Sequence, residues 1–237
     1  MRKKRFIYTL AAVLLMCSAA GVGAGCGKSS PALLDSFGTH LDTLMTSKDK
    51  LSKMDGAAAD LCVIENEDEF SENDIEAPAG ALFNITDQKT LYSKNANDER
   101  EIASITKIMT ALLAMKYADL SQEVTISYTP EGLESSAVLC GFEQGDKMML
   151  SSLLSAALIY SGNDAAIDIA IAVAGSQEAF VDMMNQESKE LMTSHTHFAN
   201  PTGLTQSKHY SSVYDVYLMF QECLKYPTFR DIIARGS

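Results

Sequence analysis

The chain has 237 residues, 46% of them apolar, enough to bury a substantial core as one domain or two small ones. It carries 31 acidic against 19 basic residues, a net charge of −12 at pH 7, and a field of that sign repels a phosphate backbone, so no nucleic-acid partner is expected. Five cysteines sit at spacings that match no zinc knuckle.

In chain order, Arg2, Lys3, Lys4 and Arg5 precede an uncharged stretch over 6–25, the pattern of an export signal. The stretch is also long enough to cross a bilayer, so a retained anchor fits it too. Gly23-Ala24-Gly25-Cys26-Gly27-Lys28-Ser29-Ser30 resembles a bacterial lipoprotein cleavage site with Cys26 as the lipidated first residue, although Gly23 stands where such sites favour Leu. Cleavage there removes four basic residues and no acidic one, taking the charge to −16 (15 basic against 31 acidic). The expected organisation is a signal peptide over 1–25, a tether and acidic linker over 26–78, and a folded domain over 79–237. Within the tether, 33–44 reads as a helix. The strongly acidic 65–76 has little to bury and reads as a solvated loop.

The folded part opens with two β-prone runs, 80–85 and 90–93, separated by Thr86-Asp-Gln-Lys89, a hairpin signal. Residues 104–115 read as a helix apolar nearly all round, hence a buried one; 148–160 and 165–174 have the same character, with Ser161-Gly162-Asn163 between them. Phe180, Val181, Met184 and Leu191 mark an amphipathic helix entered from Gly175-Ser176. A last helix starts at the capping-box pattern Ser212-Val-Tyr-Asp215 and ends before Pro227. Met109, Met115, Met148, Met149, Met183 and Met184 read as core filling. His195-Thr-His197 lacks a third ligand at suitable spacing and reads as a pair of surface histidines. Cys62, Cys140 and Cys223 leave room for one disulfide, with no basis for choosing the pair.

Chemistry concentrates in Ser104-Ile-Thr-Lys107 and Tyr160-Ser161-Gly162-Asn163. On a helix, positions three apart lie about 60° apart in projection, so Ser104 and Lys107 point the same way. A lysine is useless as a base at its ordinary pKa of about 10.4, but burial among apolar side chains can lower that by several units. A neutral Lys107 could then take the Ser104 proton as the hydroxyl attacks a carbonyl. At the start of a helix, free backbone N–H groups favour the oxyanion that develops. The spacing alone is weak: Ser47-Lys-Asp-Lys50 and Ser71-Glu-Asn73 repeat it in charged, solvated surroundings and read as coincidences. An N-capping Ser104, a Lys107 reaching to the surface, and a plain turn at 161–163 also fit the spacing.

The wider text decides between these readings. Ala103-Ser-Ile-Thr-Lys-Ile-Met-Thr110 resembles the nucleophile segment of the serine-type D-alanyl-D-alanine carboxypeptidases, the low-molecular-weight penicillin-binding proteins (peptidase family S11), and Tyr160-Ser-Gly-Asn-Asp-Ala-Ala166 resembles their second motif. Leu91-Tyr-Ser-Lys-Asn95, Phe180-Val-Asp-Met-Met-Asn185 and Phe198-Ala-Asn-Pro-Thr-Gly-Leu204 are similar to further segments of that family in the same order. The resemblance implies an α+β fold of the β-lactamase/transpeptidase kind, an antiparallel sheet flanked by helices with an all-helical subdomain. It also implies cleavage of the terminal D-Ala from a peptidoglycan stem peptide, with no metal or cofactor. By the same resemblance Ser104 is the nucleophile, Lys107 the acylation base, Ser161 a proton relay and Asn163 a hydrogen-bonding partner of the substrate's backbone, while β-lactams acylate Ser104.

The chain departs from the family in one respect. A Lys-[Thr/Ser]-Gly motif is absent from the 237 residues, and Pro201-Thr-Gly203 lacks the lysine. In the family that motif supplies a cation and a second oxyanion donor, a donor class worth about 3 kcal/mol in the transition state. The expectation is therefore a chain truncated before its C-terminal strands; a cell-wall-binding pseudoenzyme is the alternative. A β-lactamase fits less well, since Gly162 stands where the class A enzymes carry Asp and no deacylating Glu segment is recognisable. Lipidation predicts that the expressed protein partitions into a detergent phase and that Cys26→Ala abolishes this; unchanged partitioning would remove the lipid anchor.

Overall fold

The computed structural model describes residues 61–64, 75–127 and 133–235. The export signal, Cys26, the helix expected at 33–44, the Ser47 and Ser71 motifs and most of the acidic stretch lie outside the described residues. Contacts divide the chain into two compact units, one through Ala96 and the other from Asn97.

In the first unit, β1 (Gly80–Asn84) and β2 (Lys89–Lys94) form the expected antiparallel hairpin, pairing Gly80 with Lys94 and Asn84 with Lys89 across a bulge between Leu82 and Phe83. Asn84 makes the turn: its Oδ1 accepts from the Thr86 and Asp87 amides, so the side chain replaces a ladder partner where the strand ends. Beyond the hairpin, Val63 forms a single parallel bridge to Lys89, and the Thr90 hydroxyl donates to the Val63 carbonyl.

The second unit is mainly helical. A 3-10 turn over Ala103–Thr106 leads directly into α1 (Lys107–Tyr117). A two-stranded antiparallel sheet follows, β3 (Glu123–Thr125) against β4 (Lys147–Met149). Then come α2 (Leu150–Ile159), α3 (Asn163–Ala174), α4 (Gln177–Glu190), α5 (Val213–Cys223) and α6 (Pro227–Ile233). The core centres on α1, which packs against α2, α3, α4 and α5. Because it meets a helix in so many directions, its interior residues are buried on nearly every side, Met109, Leu112, Leu113 and Ala114 completely. At its far end Lys116 forms a bidentate pair with the buried Glu187 carboxylate of α4, which also accepts from the Tyr117 hydroxyl.

Several boundaries differ from the sequence reading, each for a local reason. The segment 104–115 is not helical from its first residue in the α sense: it begins as a 3-10 turn. The expected helix at 148–160 opens with β4, because Met148 pairs with Val124 before the chain turns into α2. Asn163 is the first residue of α3 and not part of the preceding loop. Gly175, at φ +83, closes α3 in the left-handed conformation, and the Ser176 hydroxyl caps α4 by accepting from the Ala179 amide. At α5 half of the capping box forms: the Ser212 hydroxyl accepts from the Asp215 amide, but the Asp215 carboxylate turns to the His195 amide and the Thr196 hydroxyl. Pro227 ends one helix as expected and also opens another, α6, since its missing N–H costs nothing at the first helical position.

Cys62, Cys140 and Cys223 are all free thiols, so the disulfide left open by the sequence does not form among them. Met109 and Met184 fill the core, whereas Met149 is 41% exposed and does not. No helix of the described residues is long and apolar enough to cross a membrane. Because Leu112 is wholly enclosed, Leu112→Ala should cost about 2–5 kcal/mol in urea unfolding, and a loss below about 1 kcal/mol would contradict this packing.

Candidate active site

The 3-10 turn decides how the two motif residues meet. Three residues per turn make positions i and i+3 eclipse, so Ser104 and Lys107 stack more directly than in an α-helix. Ser104 Oγ and Lys107 Nζ are 3.2 Å apart. Ser104 is exposed and Lys107 only 2% exposed, so the hydroxyl faces outward while the amine reaches it from the interior. Neither an N-capping Ser104 nor a surface-seeking Lys107 is what the chain adopts. Ser104 also lies in the first turn, where an amide has no carbonyl behind it to bond.

Two further groups hold the amine. Nζ lies 2.8 Å from Asn163 Oδ1 and 2.8 Å from the Thr202 carbonyl oxygen. A charged ammonium donates to all three neighbours. A neutral amine has two N–H bonds and one lone pair. Donating to Asn163 and Thr202 leaves that lone pair directed at Ser104 Oγ, so the geometry that fixes the lysine also orients it as a base. Burial brings the Lys107 pKa down to about 8; the nearby Asp164 carboxylate opposes the shift. At pH 7 a pKa of about 8 leaves roughly a tenth of the amine neutral, against a few in ten thousand at the unshifted value.

Asn163 is committed to this framework. Its Oδ1 takes the lysine bond, its Nδ2 donates to the Val138 carbonyl at 3.1 Å, and its backbone N–H donates to the same carbonyl at 2.9 Å. One Nδ2 hydrogen remains, so the residue first holds Lys107 and only then has a single N–H to offer elsewhere. The buried Asp164 straps residues 140–141 onto the start of α3, accepting from the Cys140 and Gly141 amides. A Cβ on Gly162 would fall 2.4 Å from Cys140 Sγ, so the small residue lets this loop close on the helix. Burial pushes the Cys140 thiol up to about 11, with Asp164 adding to the shift, so it stays protonated.

Ser161 stands just before this helix, half-buried and in the left-handed conformation at φ +60. Among the described residues its hydroxyl makes no hydrogen bond to Ser104 or Lys107, so the structure unites Ser104, Lys107 and Asn163 and leaves Ser161 beside them. His195 and His197 belong to no group of three or more metal-ligating side chains among the described residues. His197 instead pairs with Tyr210 along the backbone and its Nδ1 lies 2.6 Å from the Lys208 carbonyl.

Thr202 was not legible as a functional residue, because what it contributes is a backbone carbonyl. Asn200 shapes the segment that presents it: Oδ1 accepts from the Thr202 and Gly203 amides, and Nδ2 donates to the Leu204 carbonyl. Gly203, at φ +86, lies so close to the residue before Ser104 that a Cβ would fall 1.8 Å from the Ala103 carbonyl oxygen. The Thr110 hydroxyl donates to the Pro201 carbonyl at 2.7 Å, tying the segment to α1. Pro201-Thr-Gly203 is thus the support of the lysine.

This fold and site define a class: an α+β protein of the penicillin-binding kind that presents a serine hydroxyl to a buried lysine. A family profile described as D-alanyl-D-alanine carboxypeptidase (peptidase S11) matches residues 66–233, and the chain belongs to that family. It is 41% identical over 156 residues to the D-alanyl-D-alanine carboxypeptidase DacF of Bacillus subtilis, covering 64% of this chain and 40% of the relative. To the D-alanyl-D-alanine carboxypeptidase DacC of Escherichia coli it is 34% identical over 156 residues, covering 61% and 38%. The chain thus spans about two fifths of the length of these relatives. Among solved structures, a mutant of a Streptomyces DD-transpeptidase superposes with a TM-score of 0.63 at 28% identity, over 67% of this chain and 65% of that one. A D-alanyl-D-alanine carboxypeptidase from Mycobacterium tuberculosis gives 0.60 at 26%, over 66% and 59%.

A lysine lowered to about 8 gives the base role expected of Lys107 a clear signature. The rate of acylation by a penicillin should rise from pH 6 to pH 9 with an inflection near 8, as the proton leaves Lys107. A profile flat across that window would show that Lys107 is not the base.

Proposed function

We propose that this protein is a serine-type D-Ala-D-Ala carboxypeptidase acting on peptidoglycan stem peptides, inhibited by β-lactams and tethered to the outer face of the cytoplasmic membrane. The observation that carries the reading is the Lys107 amine, lowered to about 8 by burial and held by two acceptors with its third direction on Ser104 Oγ. Membership of the family supplies the substrate class. Tethering rests on the leader and Cys26 alone.

In the proposed cycle the Ser104 hydroxyl proton passes to Lys107 Nζ while Oγ bonds to the carbonyl carbon of the penultimate D-Ala. The Ser104 amide stabilises the oxyanion. The proton then moves, by way of the Ser161 hydroxyl, to the amine of the departing D-Ala as the C–N bond breaks, leaving an ester on Ser104. Water, deprotonated by the same amine, hydrolyses the ester and restores the serine. The remaining Asn163 N–H is the group available to the substrate's backbone. A β-lactam would acylate the same Ser104 Oγ by opening its ring, the C–N bond of the lactam breaking. Its leaving nitrogen stays covalently attached and keeps the cleft occupied.

The test is labelling of the whole chain with a fluorescent penicillin. Wild type should label, Ser104→Ala should not, and Lys107→Ala should slow labelling by about 10²–10⁴-fold, the usual worth of a general base. Labelling that survives Ser104→Ala, or none in folded wild type, would overturn the reading, and the second result would point to a binding module that keeps the fold without the chemistry.

A further inference from the structure

We infer that His209 is a positioning residue for the acylation step: a neutral imidazole that clamps the nucleophile's 3-10 turn to the segment whose Thr202 carbonyl holds Lys107. This rests on the reading that Ser104 and Lys107 perform acyl transfer. His209 lies 103 residues from Thr106 in sequence, yet its Nε2 is 2.7 Å from the Thr106 Oγ1, and Thr106 stands between Ser104 and Lys107. On the other side of the ring, Nδ1 accepts from the Ala199 amide at 3.0 Å, at the head of the segment 199–204. One ring therefore bonds both chain segments whose separation sets the distances around the lysine.

The bonds dictate the tautomer. An amide N–H can only donate, so Nδ1 must carry a lone pair, and the proton of the neutral ring sits on Nε2, donating to Thr106 Oγ1. A second proton on Nδ1 would set two donors face to face. The ring is 5% exposed, and burial, with His197 nearby, holds its pKa down at about 4, so the neutral form is the working one. Packing fixes its plane as well. Phe198 stands edge-on to it with centroids 5.9 Å apart, and Phe198 is itself pinned at both backbone groups by Asn185 of α4. The clamp joins the same two segments that Gly203 and Ala103 bring into backbone contact, where sterics allow no slack but supply no attraction. Burial alone would explain a leucine at 209; a bridging donor and acceptor would not be needed.

Two variants separate positioning from packing. His209→Leu fills the space without hydrogen bonds. His209→Gln offers an amide whose acceptor and donor flank one carbon, as the two ring nitrogens do. Penicillin acylation at saturation should slow roughly tenfold to a hundredfold in His209→Leu, the scale of a misplacement of about 1 Å, with the encounter constant little changed. His209→Gln should stay within about threefold of wild type. In parallel, the NMR titration of the Lys107 Cε resonance should keep its midpoint in His209→Gln and lose it in His209→Leu. The ring-nitrogen spectrum of wild type should show the Nε2–H tautomer. Equal acylation and equal Lys107 midpoints in all three proteins, or an Nδ1–H ring, would overturn the proposal. Should wild type fail to label at all, acyl transfer fails as a reading, and the Lys107 midpoints and ring tautomer still decide the clamp. If His209→Leu does not fold, the wild-type tautomer and the His209→Gln rate decide it.

Discussion

A lysine only 2% exposed must either find acceptors for its amine or lose its charge, and Lys107 is built to stand at the balance between the two. Two fixed acceptors satisfy two N–H bonds in either state. The third direction, towards Ser104, is occupied by a donated hydrogen when the amine is charged and by a lone pair when it is not. Desolvation brings the two states close enough in energy for a proton to move at neutral pH. The rest of the second unit can be read as what is needed to keep that amine dry and those acceptors still.

Each acceptor has its own support. Asn163 sits at the first position of α3, where its backbone N–H and its Nδ2 both meet the Val138 carbonyl, so the loop and the helix terminus fix its rotamer together. Asp164 adds bonds to the same loop two residues on, and Gly162 leaves room for Cys140 to close over it. The Thr202 carbonyl is aimed by Asn200, by the left-handed Gly203 and by the anchored Pro201 carbonyl. Backbone strain falls beside the chemistry: Ala103 and Ser161, both non-glycine residues at positive φ, directly precede Ser104 and the Gly162-Asn163 step. Such conformations cost about 1–3 kcal/mol each, and here the hydrogen bonds and tight contacts around them hold them in place.

The helices needed little tertiary information. Residues of α1 such as Met109, Leu112 and Leu113 are apolar on every face, which announces a buried helix, and Ser176 and Ser212 announce starts that the structure reproduces hydroxyl for hydroxyl. The misreadings occur where one residue type serves two purposes. Pro227 stops a helix and starts one. Asp215 suits a capping box, but a pair of donors at 195–196 claims its carboxylate. Met148 looks helical from its apolar neighbours, yet its backbone pairs with Val124 first.

Sequence by itself determined the candidate reacting groups, because a side chain's chemistry is carried by its identity: Ser104 three residues from Lys107 in an apolar run, and Asn163 with its neighbours Ser161 and Gly162. It also carried the family, in the order of its motifs. Only the tertiary structure decided that the lysine is held by the Thr202 carbonyl and Asn163, 95 and 56 residues away, and that His209 reaches Thr106 across 103. A backbone carbonyl looks alike at every position of a chain. What singles one out is the direction it faces after folding, and that direction follows from distant packing which no local pattern records.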